Sequence, residues 1–176
     1  MPYLYPIIAV GAGYFFVVFV LLRLTVPFMG FNGFTPPKEL PGQVRDAVAY
    51  LESKATDQQS YLQAVYDLVM KKTLDQWRHS RFKAATRIRR LAVKDLKEIW
   101  LTQDFIYCGP INFVVFVLLV KSKYFTDKDI KVKHVFLNFV PHQYLQVKVG
   151  KKWVDVDPAG SGIRKQPLGT HASFFG

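Results

Sequence analysis

The sequence has few of the residues and motifs from which metal and cofactor sites are built. Cys108 is the single cysteine among 176 residues, which excludes an intrachain disulfide framework and any metal site built from several thiolates. The four histidines show no H-x-x-x-H spacing, and no Gly-rich phosphate loop is present. We therefore expect neither a metal nor a cofactor.

Acidic residues are also scarce. The chain has 13 Asp and Glu against 24 Lys and Arg, for a formal net charge of +11. A balance this basic favours an anionic partner. The densest basic stretch runs from Lys71 to Glu98 and indicates either an anionic lipid contact or a solvated helix face. The residues expected to contact lipid are Lys71, Lys72, Arg87, Arg89 and Arg90. No known nucleic-acid module is present, so nucleic acid is not expected as a partner.

Charge is absent from the N-terminal segment. No side chain from Pro2 to Leu22 is charged, and Arg23 ends the apolar run. Because a bilayer core needs about 20 such residues, the pattern predicts a transmembrane anchor over residues 1–28 with membrane contact through residues 3–26. A buried core helix is the alternative. The basic residues after the run would place the rest of a single-pass protein on the cytoplasmic face.

The rest of the chain divides by composition. Residues 29–42 hold three Pro and three Gly, which predicts a linker, and a domain over residues 43–176 follows. Apolar residues at helical spacing predict helices around Val44–Leu51 and Leu62–Val69.

In the second half of the domain, the spacing of the apolar residues changes along the sequence. Phe113–Val120 is apolar on every side and Pro110 suits a first helical turn, so we expect a buried helix there, with a buried strand as the alternative. Beyond Lys121 the apolar residues alternate, as strands require. Helices followed by strands predict an α+β domain, with helices packed on an antiparallel sheet.

One predicted hairpin brings two polar side chains together. Gly150 followed by Lys151 predicts a two-residue type II′ turn. The resulting register places His142 and Asp157 on the same face, one diagonal step apart and within side-chain reach. Asp155 shares that face but lies two residues further away.

Cys108 would supply a nucleophile beside this pair. It precedes a predicted helix start, where unpaired N–H groups and the helix dipole stabilise a thiolate. Acyl transfer needs a thiolate, an imidazole that moves the proton and a carboxylate that orients the imidazole. Each residue also suits an ordinary role: Cys108 in the core, His142 at a strand edge and Asp157 in a turn before Pro158. Their order and the hairpin geometry favour catalysis.

An acyl-transfer site also needs a donor for the oxyanion. The candidates are the backbone N–H of Cys108 and the side-chain amide of Gln103.

The order of these features resembles the transglutaminase-like superfamily of papain-like Cys-His-Asp thiol enzymes. The resemblance is carried by Cys108, the buried helix, His142 opening a strand and the segment KKWVDVDPA with Asp157. It covers roughly Val44 to Gly160. It implies a transglutaminase-like domain behind the transmembrane helix, with Cys108 as nucleophile, His142 as general acid/base and Asp157 as its orienter.

The resemblance implies a thiol enzyme that acts on amide bonds of a protein or peptide, as peptidase, amidase or acyltransferase. The N-terminal apolar segment would make this enzyme membrane-anchored. The alternative is a catalytically silent domain of the same fold, whose basic face binds anionic lipid or an acidic partner. An acyl-CoA-dependent arylamine-type acetyltransferase shares the triad order, but such chains are much longer.

Overall fold

The computed structural model describes residues 4–30, 33–80, 92–102, 107–137, 140–160 and 167–173, and helices precede strands along the chain. The helices are α1 (Leu4–Phe15), α2 (Leu22–Thr25), α3 (Gly42–Lys54), α4 (Gln58–Ser80), α5 (Leu96–Thr102) and α6 (Cys108–Val120). A π-helical segment, Phe16–Leu21, joins α1 to α2, and a 3-10 turn, Asp127–Asp129, precedes the strands. The strands are β1 (Ile130–Leu137), β2 (Val140–Val149) and β3 (Lys152–Val156).

The N-terminal apolar segment is divided into short helical parts. Its α-helical parts are 12 and 4 residues long, because wider π-helical turns separate α1 from α2. Within the described parts of the chain, no helix combines the length and the apolarity that a bilayer crossing requires. The predictions of a membrane anchor over residues 1–28 and of a single-pass localisation are therefore wrong.

Helix α6 lies at the centre of the core. Every residue from Cys108 to Leu119 is buried, because an apolar surface on all sides must be covered on all sides. The helix contacts α3, α4, α5 and β2. The fully buried Tyr61 donates its hydroxyl to the Leu118 carbonyl at 2.8 Å, which ties α4 to the end of α6.

Helices α3 and α4 each bury the face on which apolar residues recur at helical spacing. Val44 and Leu51 are buried on α3, while Leu62 and Val65 are fully buried on α4. Asp57 precedes α4 and accepts the Ser60 N–H at 2.8 Å. Hydrogen bonds from Ser60 lower the pKa of Asp57, as expected for a carboxylate at a helix N-terminus.

The three strands form one antiparallel sheet in the order β1-β2-β3. Val149 pairs with Lys152 and Val147 with Val154, which is the register predicted for a two-residue loop. Gly150 has φ +58°, and Lys151 is not among the residues of positive φ, as a type II′ turn requires. Leu145 and Val147 of β2 are fully buried, and they lie on one face of the strand, two residues apart.

Candidate active site

The first turn of α6 holds the thiol. Tyr107 precedes the helix in extended conformation, with φ −149° and ψ 172°, and Cys108 is its first residue. Pro110 fits there because the first helical N–H groups have no partner within the helix. Gly109 is required by crowding, since a Cβ at that position would lie 2.8 Å from the Tyr107 ring and 3.1 Å from the Phe28 Cβ.

The hairpin joins the histidine and the carboxylate. His142 Nε2 lies 2.8 Å from Asp157 Oδ2, and both side chains are buried. The bond exists because the β2–β3 register puts both residues on one face, one diagonal step apart. It occupies Nε2, so Nδ1 is the ring nitrogen that remains for a further partner.

Backbone N–H groups hold the Asp157 carboxylate in place. Gly160 donates its N–H to Oδ1 at 2.8 Å, and Ala172 donates its N–H to Oδ2 at 2.9 Å. Asp157 is fully buried, so these bonds replace the water that a carboxylate otherwise needs. The carboxylate is thereby aimed at the His142 ring.

His142 also interacts with the thiol. Burial alone would lower the pKa of His142, but hydrogen bonds to Asp157 and Cys108, together with their negative charges, raise it to about 9. The ring therefore carries a proton at neutral pH.

A second hydrogen bond links the two elements that carry these groups. Asn112, one helical turn beyond Cys108, donates its side-chain Nδ2 to the Gln143 carbonyl oxygen at 2.6 Å. Both residues are fully buried. Because Gln143 follows His142 in β2, this bond fixes the distance between the helix that carries the sulfur and the strand that carries the imidazole.

The sulfur is covered from the N-terminal side. Cys108 Sγ lies 3.7 Å from Met29 Sδ, and each residue is only 8% exposed. The sulfur is therefore closed to a large substrate in this conformation.

The structure adds a second histidine–carboxylate pair that the sequence did not reveal. His171 Nδ1 lies 2.7 Å from Asp155 Oδ2, and its ring stacks on Tyr144 with centroids 4.2 Å apart. Gln146 donates its amide to the other Asp155 oxygen at 2.8 Å. The sequence indicated only that Asp155 shares a face with Asp157. Nothing near His171 in the sequence indicates that Asp155 is its partner.

The remaining predicted residues are the oxyanion candidate Gln103 and the basic residues expected to contact lipid. Gln103 and the basic residues Arg87, Arg89 and Arg90 lie outside the described residues. Lys72 places its ammonium 4.2 Å from the Trp100 ring centroid, and burial lowers its pKa. Lys71 is exposed.

No metal site is evident in the part of the chain that the structure describes, where no three His, Cys, Asp or Glu side chains are grouped closely enough to hold an ion. Comparison of the chain with protein-family models, with curated proteins and with solved structures finds no match.

Proposed function

We propose that this protein is a thiol enzyme that cleaves or transfers the acyl group of an amide. The observation that supports this function is the position of the His142 ring, which is hydrogen-bonded to a buried carboxylate at 2.8 Å and interacts with the Cys108 sulfur. The resemblance to transglutaminase-like enzymes supports the same assignment of Cys108, His142 and Asp157.

The chemistry follows from the charges of the pair. The Cys108 thiolate adds to the amide carbonyl, and the carbonyl oxygen becomes an oxyanion. The backbone N–H of Cys108, in the first turn of α6, is the candidate donor to that oxygen. His142 gives its proton to the departing amine nitrogen, the C–N bond breaks and a thioester remains on Cys108.

The second half of the reaction regenerates the enzyme. Neutral His142 accepts a proton from water, or from an acceptor amine, as it attacks the thioester. The carbon–sulfur bond breaks and the thiolate–imidazolium pair re-forms. Water gives hydrolysis and an amine gives acyl transfer, with hydrolysis as the expected outcome. Asp157 orients the ring in both halves of the reaction.

The test is the pH dependence of Cys108 alkylation by iodoacetamide in the full chain. A free thiol reacts appreciably only near its pKa of about 8.5. We expect the rate to persist well below that pH, and the His142→Ala variant to lose the low-pH reactivity. Hydrolysis of peptide amides with a fluorescent leaving group should disappear in Cys108→Ala. Identical alkylation profiles with and without His142 would refute the proposal.

The closed position of the thiol favours a second candidate, a catalytically silent binding domain. Cys108 and His142 are 8% and 6% exposed, so neither reaches a macromolecular substrate without a local movement. An acidic partner would then bind the basic surface, and the triad would serve only to hold α6 against the hairpin. Slow alkylation that resembles that of a buried thiol at every pH would favour this candidate.

A further inference from the structure

Residues Val26–Gly30, here called the cover, lie against the start of α6. Met29 contacts the sulfur, with its Sδ 3.7 Å from Cys108 Sγ. Met29 belongs to the same buried core as Cys108 although the two are 79 residues apart in sequence. A long, unbranched and adaptable apolar side chain therefore occupies the space beside the nucleophile.

Phe28 holds the cover in an uncommon backbone conformation. Its φ is +64°, a left-handed value that a bulky residue adopts only when its surroundings enforce it. The surroundings here are aromatic: its ring stacks on Phe113 with centroids 4.3 Å apart, and it meets Phe34 edge-on at 6.2 Å. The strain at Phe28 is offset by contacts made with α6 itself.

Residues on both sides of Cys108 complete the attachment. The Tyr107 hydroxyl donates to the Pro27 carbonyl oxygen at 2.9 Å. Gly109 leaves room for the Phe28 backbone, whose carbonyl carbon would lie 3.3 Å from a Cβ added there. The N-terminal end of α6 is thus shaped to receive an apolar side chain on a peptide backbone.

We propose that Met29 occupies the subsite for the side chain of the acyl residue, so that the cover is an internal occupant of the substrate site. This inference rests on the proposed function and names its substrate class: peptide amides whose acyl residue has a long apolar side chain. An acidic side chain is disfavoured in this apolar cluster, because its charge would be buried and it would not make the contacts that Met29 makes.

The experiment uses the full chain with Met29→Ala and, as matched control, Met70→Ala. Met70 is a partly buried methionine packed on the same core, but it lies on α4. We expect Met29→Ala to raise the rate of Cys108 alkylation by about tenfold, equivalent to about 1.4 kcal/mol, and more for bulky N-phenylmaleimide than for iodoacetamide. Met70→Ala should leave the rate near wild type. Glycine tolerates a positive φ but lacks the ring that stacks on Phe113, so Phe28→Gly should also raise the rate of Cys108 alkylation.

The side-chain preference is measured on Met29→Ala by protection. N-acetyl-methionine amide should slow the alkylation of Cys108, whereas N-acetyl-glutamic acid amide at the same concentration should not. Unchanged alkylation in both Met29→Ala and Phe28→Gly, or equal protection by the two amides, would overturn the inference. Selective protection without turnover of any peptide amide would refute the enzymatic function and leave the apolar subsite standing.

Discussion

Raising the pH through the titration of His142 should weaken the fold. The folded state raises the pKa of His142 from 6.5 to about 9, so it binds the imidazole proton more tightly than the unfolded chain does. The resulting stabilisation is fully present below pH 6.5 and is lost as the pH rises to about 9. The difference between the two pKa values corresponds to a loss of about 3 kcal/mol in the free energy of unfolding.

Urea denaturation followed by fluorescence at about pH 6 and at about pH 9.5 measures this loss. In His142→Gln the contribution should vanish, so the two pH values should give similar free energies of unfolding. His134→Gln is the matched control. Burial and, to a lesser extent, Arg23 lower the pKa of His134, so its contribution to stability is lost as the pH falls, and His134→Gln should keep the decline of stability towards high pH. A pH-dependent loss in His142→Gln as large as in the wild type would refute the assignment of this loss to the His142 proton.

Three further substitutions probe the contacts around the site. Asn112→Ala should lower the free energy of unfolding by about 1–3 kcal/mol, because the Gln143 carbonyl oxygen loses its buried donor; thermal denaturation measures it. Gly160→Ala should cost about 1–3 kcal/mol through crowding, since its Cβ would lie 2.6 Å from a neighbouring methyl, whereas Gly42→Ala, with open space around it, should be near neutral. His171→Phe keeps the aromatic stack but loses a partly exposed hydrogen bond, and should cost about 1 kcal/mol in denaturant titrations.

Each of these expectations has its own control. Thr170→Val removes a hydroxyl that donates only to the Pro167 carbonyl, within the same C-terminal segment as His171, and should have a smaller effect. Asn112→Asp retains an acceptor but loses the donor, so it should be at least as damaging as Asn112→Ala. Equal stabilities of the Gly160 and Gly42 variants would contradict the close packing described around Asp157.

The hairpin was predictable because its information is local. Gly150 selects a turn of defined length, and the two-residue period of strands then determines which side chains share a face. His142 and Asp157 could be placed together from these two rules, and their hydrogen bond follows from the register. Helix α6 was predictable for a related reason, since a segment apolar on every side has to be buried on every side.

The N-terminal segment was misread because apolarity does not define the path of the backbone. A run without charges suits a bilayer, but the run here is divided by the π-helical turns of Phe16–Leu21, and its C-terminal end turns back onto α6. Residues predicted to be a linker supply Met29, which covers the thiol. The C-terminal segment supplies Ala172, whose N–H holds the Asp157 carboxylate.

The sequence by itself determined which residues could form the site: one thiol, a histidine and an aspartate related by a hairpin register, and an apolar helix to carry the sulfur. Only the tertiary structure decided what surrounds them. Met29 meets Cys108 across 79 residues, and His171 meets Asp155 across 16. Such contacts arise where separate elements pack to bury apolar surface and pair polar groups, and no period or motif within either segment specifies its distant partner.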